Sequence, residues 1–246
     1  MKAKMDTSAT VLRALKLLNH LKENPGPQSI RYISEELEMS STIVHRLLTT
    51  LKTEGFVFQD PQSKLYSLGV VFLDYANKVV TEFPFSSIIE PWLMKLRNIT
   101  NETVGFYVPN GQTRLCVLEY ESQQEIRRSV GVGKQLPIYA GATGRAILAF
   151  QPEERQKQMM KDLPFEEQQI LIEKIHDTQK KGYAVSVGEI SSNVSALSVP
   201  VYDNQKHIVG ALSVSGPAFR FDEESINKYI DTVIQATTEI SDSFRK

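Results

Sequence analysis

Ser40-Ser41-Thr42-Ile43-Val44-His45-Arg46-Leu47-Leu48-Thr49-Thr50-Leu51-Lys52-Thr53-Glu54-Gly55 is the stretch from which the fold can be read. Ser40 is placed to cap a helix running to Glu54. Gly55 follows as the residue that ends it, and Lys52 suits the negative end of the helix dipole. At about 100° per residue, Val44, Leu47, Leu48 and Leu51 fall within about 100° of one another and form one buried face. Thr42, His45, Arg46, Thr49 and Thr53 occupy the opposite arc, and no acidic residue stands between Ser40 and Thr53. A solvated face normally mixes charge signs. Hydroxyls and arginine are the side chains that meet phosphates and base edges in a major groove. On this helix alone, an ordinary polar face is the alternative.

Upstream, Thr7 or Ser8 can cap a first helix with Val11, Leu15, Leu18 and Leu21 as its apolar face, stopped by Asn24-Pro25-Gly26-Pro27. Ser29 caps a second helix carrying Ile30, Ile33 and Leu37, and only Glu38 and Met39 separate it from Ser40. Two short helices across a tight turn make a helix-turn-helix. Downstream, Phe56 to Gln59 and Leu65 to Leu68 read as strands flanking Asp60-Pro61-Gln62-Ser63-Lys64. A hairpin with a cation at its tip, directly after such a helix, is a wing, and Lys64 would lie along the backbone or in the minor groove. A hairpin that only closes the three-helix core is the plainer alternative. From Gly69 to Phe83, Phe72, Tyr75, Ala76, Val79 and Val80 lie on a connecting helix.

Beyond Phe83 the pattern changes to mixed strands and helices. A helix from Ser87 to Thr100, with Glu90-Pro91 near its first turn, precedes strands over Val104–Val108 and Thr113–Tyr120 about a Pro109-Asn110-Gly111 turn. Glu125 to Val130 reads as a further strand, and Gly141 to Phe150 as a glycine-punctuated loop leading into a small-residue helix. Helices over 152–161 and 165–181 follow, the second closed by Gly182. Strands over 183–187, 194–202 and 208–215 then precede a last helix from Asp222 to Phe244. One antiparallel sheet with helices packed on it is the α+β class.

With 246 residues, 41% hydrophobic and 23% charged, the chain is long enough for two small domains and has apolar content for real cores. A net charge of −1 neither requires nor forbids nucleic acid. The single cysteine, Cys116, excludes a disulfide framework and multi-cysteine zinc patterns. No apolar run approaches the ~18 residues of a membrane span, and Met1 to Asp6 leads into no export signal, so a cytoplasmic protein is expected. His20, His45, His176 and His207 are scattered, with no pair at metal-ligand spacing. Nucleophile-elbow, P-loop and dinucleotide patterns are missing, so neither a metal nor a cofactor is expected.

Together, these stretches resemble the IclR family of bacterial transcription regulators, from about Val11 to Phe244. In the first domain the likeness rests on Val11 to Leu15, Ser41 to Leu48, and Leu51 through Tyr66 to Gly69. In the second it rests on Gly133 to Pro137, Ala142 to Ala149, Gly182-Tyr183 with Glu189, and Ser213 to Pro217. The resemblance implies an N-terminal winged helix-turn-helix over 1–68, a linker helix over 69–83 and a GAF-like effector-binding domain over 84–246. It also implies a double-stranded DNA operator, a small organic-acid effector, and a homodimer or dimer of dimers. Relatives often carry Pro and a basic residue where Ser40 and Ser41 stand, and Thr in place of Ile43. Some place acidic or thiol groups near Ser186 and Ala196.

The DNA-contacting residues expected are Ser40, Ser41, Thr42, His45, Arg46, Thr49, Lys52 and Lys64, with Arg46 and Lys64 on phosphates and Thr42, His45 and Thr49 at base edges. The effector residues expected are Arg128, Leu136, Ala142, Thr143, Gly144, Ser186, Val194 and Ala196. Free N–H groups of Ala142, Thr143 and Gly144 at a helix start make an anion site, unless this small-residue run only packs on the sheet. Arg127 and Arg128 alternate on their expected strand, so one can face inward. Ser186, Ser191, Ser192, Asn193 and Ser195 surround Glu189, itself read as a structural hydrogen-bonding residue. The function expected is a sequence-specific regulator, a repressor by preference, controlled by the acid. An enzyme acting on a small carboxylic acid and an effector-independent DNA-binding protein are the competing readings.

Overall fold

The computed structural model describes residues 7–82 and 85–244. Its contacts divide the chain into two compact units, with the boundary between Val79 and Val80.

In the first unit, α1 (Ala9–Glu23), α2 (Ile30–Glu36) and α3 (Ser41–Thr53) pack around Leu17, Leu21, Ile33, Val44, Leu47 and Leu48. Ser8, Ser29 and Ser40 each accept a backbone N–H at the start of one of these helices. At the end of α3, Gly55 takes φ 78°. The Phe56 N–H then reaches the Leu51 carbonyl at 2.8 Å and the Gly55 N–H reaches that of Lys52 at 3.1 Å, the paired bonds of a Schellman turn. The hairpin follows as β1 (Val57–Gln59) and β2 (Tyr66–Leu68). Its base closes so tightly that a Cβ on Gly69 would stand 1.9 Å from the Gly55 carbonyl oxygen.

One expectation for this unit fails. The buried side of α1 is Leu17 and Leu21, with Ala14 and Leu18 partly covered, whereas Val11 and Leu15 are 56% and 51% exposed. Apolar residues cover more than half the circumference of α1, so periodicity does not choose which stripe faces inward. The connecting helix is α4 (Val71–Thr81), seated on the wing by Phe72 and Tyr75, each with its ring 5.5 Å from that of Phe56. Val70, Leu73 and Val79 are exposed. Phe83 and the side chain of Val80 lie outside the described residues.

The second unit holds one antiparallel sheet. Its strands are β3 (Thr103–Asn110), β4 (Thr113–Tyr120), β5 (Gln135–Pro137), β6 (Ala184–Val187), β7 (Val194–Tyr202) and β8 (Ile208–Pro217), in the order β5-β4-β3-β8-β7-β6. On one face, α5 (Ser86–Thr100) and α9 (Glu223–Ser243) cover Val104, Phe106, Leu197, Val199, Leu212 and Val214. On the other, α6 (Gly141–Leu148), α7 (Glu153–Met160) and α8 (Phe165–Lys181) pack with Cys116, Ala184 and Ala211. Buried residues of the two faces alternate along β3, β7 and β8, and in β4 a bulge places Val117 and Leu118 in succession on the α5–α9 side.

Three local expectations are corrected. α5 begins at Ser86, one residue before the expected Ser87, which places Pro91 inside the helix just past its first turn. The β3–β4 turn is Gly111-Gln112: Asn110 pairs with Thr113, and Gly111 supplies the positive φ of 60°. Residues 125–130 form no strand. The Val130 and Gly131 N–H groups go to the Glu119 carboxylate, and the Arg128 carbonyl accepts the Thr103 hydroxyl, so the segment has no ladder to join. The ladder beside β4 is filled by β5 instead.

Cys116 is fully buried, and burial pushes its thiol up to about 12. A thiol-reactive dye at pH 8 should leave the folded protein unlabelled and modify one thiol per chain after unfolding; rapid labelling of the folded protein would contradict this packing.

Candidate DNA-binding surface and effector pocket

The outer face of α3 is open. Ser41, Thr42, His45, Arg46 and Thr49 are all exposed, as is the capping Ser40. Among the described residues no carboxylate holds Arg46, which leaves its guanidinium available. Thr49 donates its hydroxyl to the His45 carbonyl at 2.9 Å, so what it offers outward is acceptor capacity. Lys52 is differently employed: its Nζ donates to Gln59 Oε1 at 2.9 Å and braces the helix end against the wing. Lys64 sits at the hairpin with φ 59°, exposed. Asp60 shapes that tip by accepting the Ser63 N–H at 2.6 Å, the Ser63 hydroxyl at 2.7 Å and the Gln62 N–H at 3.1 Å. These bonds hold its carboxyl below the usual range.

In the second unit a cavity of about 30 Å³ lies beneath the start of α6, room for about two waters. The sheet contributes Tyr107, Arg114, Ser186, Val194, Ala196, Ser213 and Ser215. Arg128, Val130 and Leu136 form one side, α6 supplies Ala142 and Thr143, and Ile190 and Ser191 close over the top.

Arg114, on β4, is 2% exposed and has no acidic partner among the described residues. Its Nη1 donates to the carbonyls of Pro137 and Ala140, the latter at 2.8 Å, while its Nε has no partner. Burial above all, then Arg128 and Arg145 nearby, pulls the guanidinium down to about 10, with Tyr107 opposing; it remains charged at neutral pH. A buried charge left without a counter-charge costs several kcal/mol. Directly above it, α6 follows Ala140, an N-cap residue that supplies no side-chain cap, so the first-turn N–H groups of Gly141, Ala142 and Thr143 present positive potential to the same space. The arrangement is a hole of positive charge with hydroxyls around it.

The remaining contacts hold this hole in shape. Thr143 Oγ1 lies 3.0 Å from Ser198 Oγ and 3.1 Å from Ser213 Oγ, and these two serines are 2.9 Å apart, tying α6 to β7 and β8. Thr143 therefore offers its backbone N–H rather than its hydroxyl. Glu189 pairs with Arg145, and with Lys174 at 3.2 Å, and so anchors the segment that carries Ile190 and Ser191. A larger groove of about 390 Å³ between β7 and α9 is lined by apolar groups such as Phe150, Val199 and Ile234 together with Tyr202, Thr237, Ser241 and Asp242; its one lining cation, Lys206, is exposed. Among the described residues no cluster of three or more His, Cys, Asp or Glu can hold a metal ion, and no helix is long and apolar enough to cross a membrane.

Residues 77–242 match the family described as bacterial transcriptional regulator IclR C-terminal, and residues 10–61 match the IclR helix-turn-helix domain. The chain belongs to the IclR family. It is 28% identical over 240 residues to the HTH-type transcriptional regulator KipR of Bacillus subtilis, covering 94% of this chain and 95% of that one. It is 25% identical over 242 residues to the HTH-type transcriptional repressor AllR of Salmonella typhimurium, covering 93% and 87%. The crystal structure of Thermotoga maritima IclR is similar at 27% identity with a TM-score of 0.71, over 96% of this chain and 99% of that one. This IclR-family chain is accordingly a DNA-binding transcriptional regulator and not an enzyme. In this family the C-terminal domain is the effector-binding part.

For this IclR-family member, Arg128, Leu136, Ala142, Thr143, Ser186, Val194 and Ala196 from the sequence reading all line the cavity, and Gly144 does not. A Cβ on Gly144 would stand 2.2 Å from the Ile138 carbonyl oxygen and 2.9 Å from Arg114 Nη1, so Gly144 is the close-approach residue that lets α6 settle on the Arg114 layer. Arg127 points away and pairs with Glu121. Tyr107, Arg114, Ser213 and Ser215 escaped the sequence reading. The signal for Arg114 was present: it shares its strand face with Cys116, two residues on.

Gly144→Ala should lower stability by about 1–3 kcal/mol through overpacking, read as a reduced urea midpoint. An unchanged midpoint would mean that α6 does not rest on the Ile138 carbonyl as described.

Proposed function

We propose that this regulator is a homodimer or dimer of dimers in the cytoplasm whose hold on its operator is released by a small organic acid bound beneath α6. The observation that carries this reading is the buried, uncompensated Arg114 under an uncapped helix start. A carboxylate there gains charge-assisted hydrogen bonds from the guanidinium and from first-turn N–H groups. Control requires that the acid bind more tightly to the arrangement that grips DNA poorly. The name of the AllR relative supports repression as the resting role.

On the DNA side, α3 enters the major groove. Thr42, His45 and Thr49 face base edges, Ser40, Ser41, Arg46 and Lys64 meet the backbone, and Lys52 braces the wing. Two such heads in one dimer read two half-sites. The exposed Val11, Leu12 and Leu15 of α1, and Leu73 and Val79 of α4, supply apolar surface for association.

The test is fluorescence anisotropy of the full chain on a duplex from upstream of its own gene against a scrambled duplex, with and without a set of short carboxylic acids. Binding should be selective, weakened by salt, and reduced about tenfold or more by at least one acid. Arg114→Gln should retain operator binding and lose the response to acid. Operator binding that no acid alters, or a variant that still responds, would contradict the reading. Separately, Arg46→Ala should weaken binding and lower the salt slope by about one; an unchanged slope would remove Arg46 from the phosphate contacts.

A further inference from the structure

We infer that the ligand of the α6 pocket is a compact dianion, carrying one negative charge for Arg114 and a second for Arg128. This rests on the anionic-effector reading above and narrows its chemistry. Arg114 alone would be answered by any carboxylate. Arg128 lines the same small cavity from the opposite chain segment, half-buried. Among the described residues nothing engages its guanidinium.

Its placement is built. The Thr103 hydroxyl donates to the Arg128 carbonyl. Glu102, 2% exposed, takes Arg220 in a two-pronged pair at 2.5 and 3.0 Å, and the same guanidinium donates to the Ile126 carbonyl at 2.9 Å. On the far side of Arg128, Glu119 receives the Ser129 hydroxyl at 3.0 Å and the Gly131 N–H at 2.8 Å. An ion pair with its carboxylate buried holds this loop and fixes where Arg128 begins.

The nearby acids are already committed. Glu119 serves the loop backbone, and Glu189 is held by Arg145 and Lys174. The cavity lining therefore carries two guanidinium groups and no carboxylate. Two like charges beside one small cavity each oppose the other, and a ligand bearing two negative charges relieves both. The cavity of about 30 Å³ must widen to take even a short skeleton; its lining offers Leu136, Val194 and Ala196 to a carbon spacer and Ser186 and Ser215 to oxygens. A short dicarboxylate and a small phosphate monoester share this chemistry.

The test is isothermal titration calorimetry on the full chain with pairs that differ by one charge at nearly constant shape, malonate against malonamate and succinate against succinamate. Inorganic phosphate serves as the phosphate arm. At least one dianion should bind about tenfold or more tightly than its amide partner. Arg128→Gln should reduce that preference to about threefold or less while leaving the melting temperature and operator binding unchanged. Phosphate binding without dicarboxylate binding, lost in the same variant, would assign the source to a phosphate ester. If the amides bind as tightly as the diacids, or if Arg128→Gln leaves the preference intact, the dianion inference fails and the acid-effector reading stands. If no dianion binds but single-charge acids do, the same conclusion follows. If no anion of either kind binds, both fail together.

Discussion

A guanidinium with no carboxylate partner among the described residues, sealed under the start of a helix, is the constraint around which the second unit is arranged. Arg114 must be charged, and in a dry site that charge needs oxygen atoms. Two come from the carbonyls of Pro137 and Ala140, which forces the chain between β5 and α6 to lie against the guanidinium. The helix that follows can approach only because Gly144 has no side chain to meet Arg114 and Ile138. The start of α6 carries no capping side chain that would neutralise its positive end. Every feature around Arg114 leaves positive potential facing one small cavity.

Packing then turns that potential into a site. The sheet separates two apolar layers, and the face that meets α6 sets small residues, Ser198, Ser213 and Ala211, beside Tyr107 and Arg114. The Thr143–Ser198–Ser213 triangle holds α6 to the sheet with its hydroxyls satisfied by one another. Glu189 anchors the segment over the opening through Arg145 and Lys174. An anion arriving here meets preformed donors and displaces little protein polarity. That is the condition for a small ligand to have large leverage on a conformational equilibrium.

Much of this was legible in the sequence, and the failures have physical causes. The α3 face, its serine cap, the Gly55 stop and the wing follow from local rules, because each depends on residues within a few positions of one another. The strand order and the α6 environment do not. Glu125 to Val130 has the composition of a strand, yet Glu119 and Thr103 claim its backbone groups, a competition between residues far apart in the chain. The α1 face was misassigned because Val11, Leu15, Leu17 and Leu21 give two overlapping apolar stripes, and tertiary packing chose between them. Arg114 carries no local motif, being an arginine on a strand. Its register with buried Cys116 already placed it on the inner face, and an inward arginine without an acid nearby is the strongest pointer to the pocket that the sequence contains.

The most direct measurement is a crystal structure of the full chain with the acid that releases the operator. The bound acid should lie beneath α6, one carboxylate oxygen accepting from the Arg114 guanidinium and another facing the N–H groups of Ala142 and Thr143. An acid bound in the groove between β7 and α9, or elsewhere with Arg114 untouched, would contradict it.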